Sequence, residues 1–383
     1  DLHSFPTRRS SDLQLVQGHD INNLIKILSN IKDMKGPVLL HVITKKGKGY
    51  EPAEENPTQF HGVGKFDPET GDIAESKGVP SYTEIFSNTL VKMAQSNDKI
   101  AAITAAMPEG TGLDKFAKEF PGRYFDAGIA EEHAVTFAAA LAAGGMQPVC
   151  AIYSTFMQRA LDNIIHDTAL QNLPVVFAID RAGIVGEDGA THHGVFDFSY
   201  LKYIPNLIIM APSDENELQH MLKTAFNSNK PCAIRYPRGA GEGAVLDMAP
   251  AVLQIGKAKV MREGNDVCLL GIGNQVGNCL KAAEMLEKKN IKASVINMRF
   301  LKPLDEESVK SMLSKTKKFI TVEENVLKGG FGESIKALLC DSGAVVECIG
   351  LPDQFIEHGS QKILREKYGL TAENIAGAAL KMF

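Results

Sequence analysis

Apolar segments alternate with amphipathic helical patterns between residues 81 and 237, and this alternation limits the possible folds more than any other feature of the sequence. Ser81-Tyr-Thr-Glu84 has the spacing of a capping box, which predicts the start of the first helix in the series. Alternation of this kind is typical of a mostly parallel sheet that helices cover on both faces. The predicted strands are Ile100–Thr104, Val149–Ile152, Val175–Ile179, Leu207–Met210 and Ala233–Tyr236.

A second series of the same kind follows the glycine-rich segment Gly239–Gly243. Its predicted helices lie near residues 275–289, 305–314 and 332–340. We therefore predict an α/β fold made of two consecutive three-layer α/β domains with mostly parallel sheets, at residues 81–242 and 243–383. The strands predicted for the second domain are Val267–Leu270, Ala293–Asn297, Phe319–Val322 and Val345–Cys348.

Residues 15–80 predict only part of a domain. Asp20 is placed to cap a helix, and the apolar run Val38–Thr44 is typical of a strand buried in a parallel sheet. Because one helix and one strand cannot make a core, we expect residues 15–80 to be the C-terminal remnant of a larger domain and a linker. Residues 1–14 show neither helical nor strand periodicity and lack an initiating Met, which favours a non-native segment.

Composition argues against several classes of partner. Lys and Arg number 41 against 46 Asp and Glu, a net charge of −5 without a basic block, so we expect no nucleic acid and no anionic membrane as partner. The six cysteines form no Cys-x-x-Cys pair, which argues against a disulfide framework or a zinc site and indicates a reducing compartment. No apolar run approaches the roughly 18 residues that span a bilayer.

Glu131 is the first candidate for chemistry. It lies in the segment Asp126-Ala-Gly-Ile-Ala-Glu-Glu-His-Ala134, between a glycine-bearing loop and an alanine-rich helix that another backbone can approach closely. The ordinary interpretation is an acidic residue stabilised by the helix dipole. Burial among Ala and Gly would instead disfavour the charged form and let the carboxyl share a proton near neutral pH. The sequence leaves open which effect is larger.

Three arginines form the second group of candidates. Arg181 and Arg238 each follow an apolar strand, where open α/β sheets place their ligands. Arg159 comes three residues after Phe156, so a helix starting there would present both side chains on one face. A guanidinium can donate two parallel hydrogen bonds to a phosphate, although a lone Arg is more often a surface charge.

Several separate segments resemble one known group of enzymes, and they occur in the same order. They are Asp126–Ala134, Tyr153-Ser-Thr-Phe156-Met-Gln-Arg159, Asp180–Gly194 and Arg235-Tyr-Pro-Arg238-Gly239. Together they resemble the pyrimidine-binding half of transketolase-like thiamine-diphosphate enzymes, and most closely the 1-deoxy-D-xylulose-5-phosphate synthase family. The resemblance extends from about residue 15 to residue 383, roughly the last three-fifths of such a synthase.

The resemblance implies a role for each candidate residue. Glu131 would hydrogen-bond to the aminopyrimidine ring of thiamine diphosphate and favour its imino tautomer, Phe156 would stack on that ring, and Tyr50 would touch the cofactor from the first domain. His61 and His192 would flank the reacting centre. The side chains expected to bind the acceptor are Tyr153, Arg159, Arg181 and Arg238, with Asp188 at its polar end.

The resemblance also implies the reaction and its setting. The enzyme would decarboxylate pyruvate and join the two-carbon unit to glyceraldehyde 3-phosphate, the first step of the methylerythritol phosphate route to isoprenoids. A homodimer is expected, in the cytoplasm of a bacterium or in the plastid stroma of a plant or alga. Neither nucleic acid nor a membrane takes part.

The motif that holds Mg²⁺ and the cofactor's diphosphate in the family, Gly-Asp-Gly with a downstream Asn, does not occur here. Gly71-Asp72-Ile73 does not continue in that way, and adjacent His192 and His193 lack a third ligand. We expect no metal site in this chain and Mg²⁺ ligands upstream of Leu15. This polypeptide alone is then expected to bind thiamine diphosphate poorly and to be inactive.

Other interpretations stay open. The beta subunit of a 2-oxoacid dehydrogenase shares the two C-terminal domains, but residues 15–80 are more typical of a fused first domain. Transketolase is also fused, and Asp180-Arg-Ala-Gly183 and Tyr236-Pro-Arg-Gly239 match it less well. From a different class, a non-catalytic fragment could dimerise through the alanine-rich helix.

Overall fold

The computed structural model describes residues 16–57, 60, 65–72 and 78–383, which fall into two compact units, Asp1–Gly78 and Val79–Phe383. In the first unit, strands β1 and β2 pair in parallel, with Val16 opposite Val42. The Asp20 side chain accepts from Asn23 N, so the predicted helix cap is confirmed. The elements are β1 (Val16–Gln17), α1 (Ile21–Ile31), β2 (Val42–Ile43) and α2 (Glu51–Glu55).

The prediction of a buried strand at Val38–Thr44 is wrong. Only Val42–Ile43 is a strand, and Leu39 is 79% exposed. On α1, the apolar side chains of Ile21, Ile25 and Leu28 are exposed as well. One helix and a two-stranded sheet are too small to bury each other's apolar side chains. These side chains therefore stay exposed, although their sequence pattern is typical of buried elements. The predicted non-native segment at residues 1–14 lies outside the described residues.

The second unit begins with a seven-stranded sheet in the spatial order β12-β7-β8-β6-β5-β3-β4. All neighbours pair in parallel except β12, which runs antiparallel to β7 at one edge. The strands are β3 (Ile100–Thr104), β4 (Tyr124–Asp126), β5 (Gln147–Tyr153), β6 (Val176–Asp180), β7 (Ile208–Met210), β8 (Cys232–Arg235) and β12 (Phe300–Lys302).

Helices cover both faces of this sheet because successive strand residues point to opposite sides. Cys150 and Ile152 pack in one core cluster with the alanine-rich helix α5, whereas Val149 and Ala151 pack on the other face. The helices of this part are α3 (Tyr82–Gln95), α4 (Asp114–Glu119), α5 (Glu131–Ala143), α6 (Ser154–Met157), α7 (Leu161–Asn163), a π-helix (Ile164–Ala169), α8 (Asp197–Leu201) and α9 (Glu215–Ser228).

A five-stranded sheet follows in the order β14-β13-β10-β11-β9, parallel except for the edge strand β9. Its strands are β9 (Lys259–Arg262), β10 (Val267–Gly271), β11 (Ala293–Asn297), β13 (Lys318–Val326) and β14 (Val345–Leu351). Its helices are α10 (Gln275–Glu287), α11 (Glu306–Ser311), α12 (Phe331–Leu339), α13 (Gln361–Lys367) and α14 (Ala372–Leu380).

The predicted α/β fold with mostly parallel sheets is confirmed, and the capping serine is observed: Ser81 accepts from Glu84 N at 3.1 Å. The prediction missed the short strands β4, β9 and β12 and the last two helices, α13 and α14. Among the described helices, none combines the length and apolarity that crossing a bilayer requires.

Candidate active site

The parallel pairing of β4, β5, β6 and β8 brings their carboxyl ends to one edge of the seven-stranded sheet. In register, Tyr153 at the end of β5 lies opposite Asp180 at the end of β6, and Ile179 lies opposite Arg235. The residues that follow these strands therefore leave the sheet side by side. This is the edge where open α/β sheets bind ligands.

Glu131 begins α5 at this edge. The preceding loop is shaped by Asp126, whose Oδ1 accepts from Ala106 N and Gly128 N, and by Gly128, whose φ of +69° favours glycine. Glu131 is 2% exposed, and its Oε1 accepts from Arg159 Nη1 at 2.5 Å. Its Oε2 makes no hydrogen bond with any residue that the structure describes, so the buried carboxylate keeps an acceptor for a ligand.

Aromatic rings line the candidate site next to this carboxylate. The ring of Phe156 stacks on that of Tyr153, with centroids 5.6 Å apart and planes inclined by 14°. His192 meets Phe156 edge-on at 5.5 Å, and the guanidinium carbon of Arg159 lies 5.1 Å from the centroid of the Phe156 ring. The half-buried ring of Phe156 thus contacts both His192 and Arg159, the ion-pair partner of Glu131.

Arg181 lies over the ring of Tyr153. Its guanidinium carbon is 3.9 Å from the ring centroid, and its Nη1 donates to Gly110 O at 2.8 Å. Its φ of +57° is rare for a residue with a side chain and marks a tight turn after β6. Burial raises the pKa of Tyr153 to about 12, while the charge of Arg181 opposes that rise, so the hydroxyl stays protonated at neutral pH and can donate.

Arg238 and Asp188 form an ion pair 2.8 Å long on the same side of the molecule. Arg181 and Asp188 follow β6 and Arg238 follows the neighbouring parallel strand β8, so all three lie at the same edge of the sheet. Each keeps more than a third of its side chain exposed, so the pair can open toward a ligand. Arg235, three residues earlier, is instead a buried structural residue paired with Asp197.

The two adjacent histidines have different environments. His192 is half-buried beside Phe156, and its Nδ1 lies 2.9 Å from the hydroxyl of Thr191. His193 is 2% exposed, its Nδ1 accepts from Val185 N, and its Nε2 donates to Glu357 O. Both ring nitrogens of His193 are used within the fold, which leaves His192 as the histidine available for chemistry.

Two predicted site residues fall within residues 1–78, the first unit. His61 lies outside the described residues. Tyr50 belongs to the first unit, where its ring packs against Phe60 and Phe66 with centroids 5.6 and 5.7 Å away. Its hydroxyl is buried and finds no hydrogen-bond partner among the residues described.

The sequence analysis missed the residues that support the cluster from the C-terminal domain. Glu324, at the carboxyl end of β13, accepts from Ile184 N, and Gln361 on α13 donates to the backbone carbonyls of Ile184 and Arg238. A signal existed, since the buried polar run Glu323-Glu324-Asn325 directly follows the predicted apolar strand Phe319–Val322; the structure includes this run in the carboxyl end of β13.

Comparison with known families assigns the two domains of the second unit to a class. Residues 79–242 match the model of the transketolase pyrimidine-binding domain, and residues 256–375 match that of the transketolase C-terminal domain. A split-gene transketolase, solved as an inactive β4 tetramer, superposes with a TM-score of 0.70 at 30% identity, covering 79% of this chain and 98% of its own. Fold and site thus define a transketolase-like protein.

The particular family follows from two further comparisons. Residues 11–44 match the family model described as 1-deoxy-D-xylulose-5-phosphate synthase. The synthase of that name from Pelotomaculum thermopropionicum is 55% identical over 371 residues, and synthase 1 of Geobacter sulfurreducens is 55% identical over 367; these cover 96% and 95% of this chain. The chain belongs to the 1-deoxy-D-xylulose-5-phosphate synthase family. It spans 58% of the length of each of these two relatives.

Proposed function

We propose that this chain supplies the pyrimidine-binding and acceptor-binding residues of a 1-deoxy-D-xylulose-5-phosphate synthase. The enzyme decarboxylates pyruvate and joins the resulting two-carbon unit to glyceraldehyde 3-phosphate. One observation carries the proposal: a buried carboxylate, Glu131, and two arginines, Arg181 and Arg238, lie at one sheet edge around the stacked rings of Phe156 and Tyr153. The names of the curated relatives support the reaction.

The residues present fit the pyrimidine half of thiamine diphosphate. A flat, polar ring needs an aromatic face and a hydrogen-bonding carboxyl group, which Phe156 and the unpaired Oε2 of Glu131 offer. When bound, the cofactor supplies an acidic thiazolium carbon that reacts with the 2-oxoacid. Glu131 would hold or share a proton with a ring nitrogen of the aminopyrimidine and so favour its imino tautomer. By family resemblance, Tyr50 contributes a further contact.

The acceptor-binding residues suit a phosphorylated aldehyde. Arg181 and Arg238 would donate charge-assisted hydrogen bonds to the phosphate, and Arg159 is a third cation near Phe156. The protonated hydroxyl of Tyr153 adds a neutral donor, for which glycine at position 110 leaves room: a Cβ there would lie 2.1 Å from that hydroxyl. Asp188 would contact the polar end of the acceptor.

Proton movement is assigned to histidines. His192, half-buried beside Phe156, would donate to the oxygen on which negative charge develops during carbon–carbon bond formation. His61 would face it from the other side of the reacting centre, a role that rests on family resemblance. General acid catalysis of this kind is worth about 10²–10⁴-fold in rate.

The assembly is part of the same proposal. Mg²⁺ and the cofactor's diphosphate would be held by the portion of the relatives that this chain does not match; among the described residues, no group of three His, Cys, Asp or Glu is arranged to hold a metal ion. The enzyme would be a cytoplasmic homodimer. This polypeptide by itself would be inactive.

Reconstitution tests the function. The unmatched N-terminal portion of the Pelotomaculum relative is supplied as a separate polypeptide, with pyruvate, glyceraldehyde 3-phosphate, thiamine diphosphate and Mg²⁺, and the sugar phosphate product is measured. We expect product only from the mixture, and a loss of about 10²-fold or more in Glu131→Ala. Glu132→Ala is the matched control, because Glu132 is the exposed acidic neighbour on the same helical turn.

The same experiment separates the competing functions. A non-catalytic dimerising fragment would give no product in any mixture, and Glu131→Ala would change nothing. A transketolase would make product from a ketose phosphate donor and not from pyruvate. Activity with pyruvate that persists in Glu131→Ala would contradict the role of this carboxylate.

A further inference from the structure

The loop that carries Asp188 and His192 is anchored to the C-terminal domain by hydrogen bonds. Glu324 Oε1 accepts from Ile184 N at 2.8 Å, and Gly359 N donates to Gly186 O at 3.4 Å. His193 connects the loop to Glu357, as described above. The backbone of the loop is thus fixed to residues of the other domain, while the Asp188 side chain stays 43% exposed.

Gln361, the first residue of α13, makes the most specific of these contacts. Its Nε2 donates to Ile184 O at 2.9 Å and to Arg238 O at 3.2 Å. Ile184 belongs to the Asp188 loop, whereas Arg238 belongs to the segment after β8. One amide group therefore joins the two backbone segments whose side chains meet in the Arg238–Asp188 ion pair.

The loop approaches this part of the C-terminal domain at van der Waals distance. Gly186 and Gly189 have φ values of +112° and +73°, which turn the chain toward residues 358–361. A Cβ at Gly189 would lie 3.0 Å from the Cβ of His358, and one at Gly186 would lie 3.4 Å from Gly359 O. The contact is close enough that a shift of α13 would move the loop.

We propose that Gln361 is a positioning residue that fixes Arg238 against Asp188 and thereby gives the site its preference for a phosphorylated acceptor. The inference rests on the proposed function, which gives Arg238 its anionic ligand. An arginine holds a phosphate through two directed hydrogen bonds, so the position of its backbone determines how well the guanidinium group can align with the phosphate. Gln361 itself touches neither substrate nor cofactor.

Kinetics with two acceptors test this role. In the reconstituted enzyme, kcat/KM is compared for glyceraldehyde 3-phosphate and for unphosphorylated D-glyceraldehyde. Losing two hydrogen bonds in Gln361→Met should reduce the preference for the phosphorylated acceptor about tenfold, through KM, with kcat and the KM for pyruvate within about twofold of wild type. Gln361→Glu should lose at least as much, because its carboxylate would face two carbonyl oxygens. Lys362→Met, an exposed neighbour on the same helix, is the control.

An equal loss for both acceptors would overturn the proposal, since a merely structural residue would affect both alike. Hydrogen exchange on this chain alone tests, independently of activity, whether Gln361 holds the two backbone segments in place. We expect amides of residues 184–193 and 236–241 to exchange about fivefold faster in Gln361→Met while α5 is unchanged. Unchanged exchange in those two segments would overturn the proposal. An inactive wild-type mixture would count against the proposed function, and the exchange measurement would still decide the role of Gln361.

Discussion

Arg159 Nη1 lies 2.5 Å from Oε1 of Glu131, so an arginine that is half exposed closes one side of a carboxylate that is 2% exposed. Family resemblance gives these two residues different tasks, acceptor binding for Arg159 and cofactor binding for Glu131. Their contact joins the two tasks physically. It keeps a buried negative charge partnered while Oε2 is free for a ligand.

The ion pair predicts a measurable coupling in stability. Arg159→Met leaves the Glu131 carboxylate buried without its partner, and we expect it to lower the free energy of unfolding by about 1–2 kcal/mol, less than for a fully buried pair because Arg159 is partly solvated. Glu131→Gln combined with Arg159→Met should recover most of that loss. Urea denaturation of the four proteins gives the double-mutant cycle; additive effects would show that the pair contributes nothing.

Two arginines three residues apart should behave in opposite ways. Arg235 is 4% exposed, its Nε lies 2.9 Å from Asp197, and its Nη2 donates to Glu324 O. Arg235→Met leaves the buried carboxylate of Asp197 without its partner and should lower the free energy of unfolding by about 3–5 kcal/mol. Arg238→Met breaks a partly exposed pair and should cost about 1 kcal/mol or less.

Urea denaturation compares the two variants, and the acceptor KM of the reconstituted enzyme then separates structure from binding. Arg238→Met should raise the KM for glyceraldehyde 3-phosphate by about tenfold or more, because it loses a charge-assisted contact to phosphate. Equal destabilisation by both variants would show that Arg238 is a structural residue like Arg235.

Glu323 predicts a pH dependence of stability. Burial raises its pKa from 4.5 to about 7, although Phe331 N and Gly332 N donate to the carboxylate and oppose the rise. Between these two pH values the folded chain holds the proton more tightly than the unfolded chain. The contribution of this group to the free energy of unfolding therefore falls as pH rises through that window, by roughly 3 kcal/mol.

Glu323→Gln should remove that slope. The variant loses one of the two backbone hydrogen bonds at every pH, so the slope between pH 4.5 and 7, and not the offset, is the test. Urea midpoints across the window measure it. Glu333→Gln, at an exposed position on α12, is the matched control and should keep the wild-type slope. A slope unchanged in Glu323→Gln would contradict the assignment.

The chain alone should bind thiamine diphosphate weakly. Glu131 and Phe156 address only the pyrimidine ring, and a diphosphate without its magnesium ion loses most of its binding free energy. Calorimetric titration of the cofactor into this polypeptide, with and without Mg²⁺, should give little heat in either case. Micromolar affinity would show that residues of this chain hold the diphosphate.

Continuous apolar runs made much of the fold predictable. Ile100–Thr104 and Ala293–Asn297 were predicted with the bounds observed, because every residue of each strand is buried. The edge strands Tyr124–Asp126 and Lys259–Arg262 were missed, since they are partly exposed and owe their structure to a neighbouring strand. Val38–Thr44 shows the converse: the segment is apolar, but among the described residues of the first unit only Val42–Ile43 pairs with another strand.

The grouping of site residues was predictable to the extent that strand ends fix it. Arg181 and Arg238 could be placed near each other because each follows a parallel strand. The contact of Arg159 with Glu131 spans 28 positions, and those of Gln361 with Ile184 and Arg238 span 177 and 123. Such contacts depend on how helices and domains pack, which residue spacing does not encode.

The most direct test of the central claim is a crystal structure of this chain with the N-terminal portion of a relative, thiamine diphosphate and Mg²⁺. We predict a carboxylate oxygen of Glu131 within about 3 Å of a nitrogen of the aminopyrimidine ring, with Phe156 stacked on that ring. An aminopyrimidine ring bound away from Glu131, with the carboxylate still paired to Arg159 alone, would contradict the account.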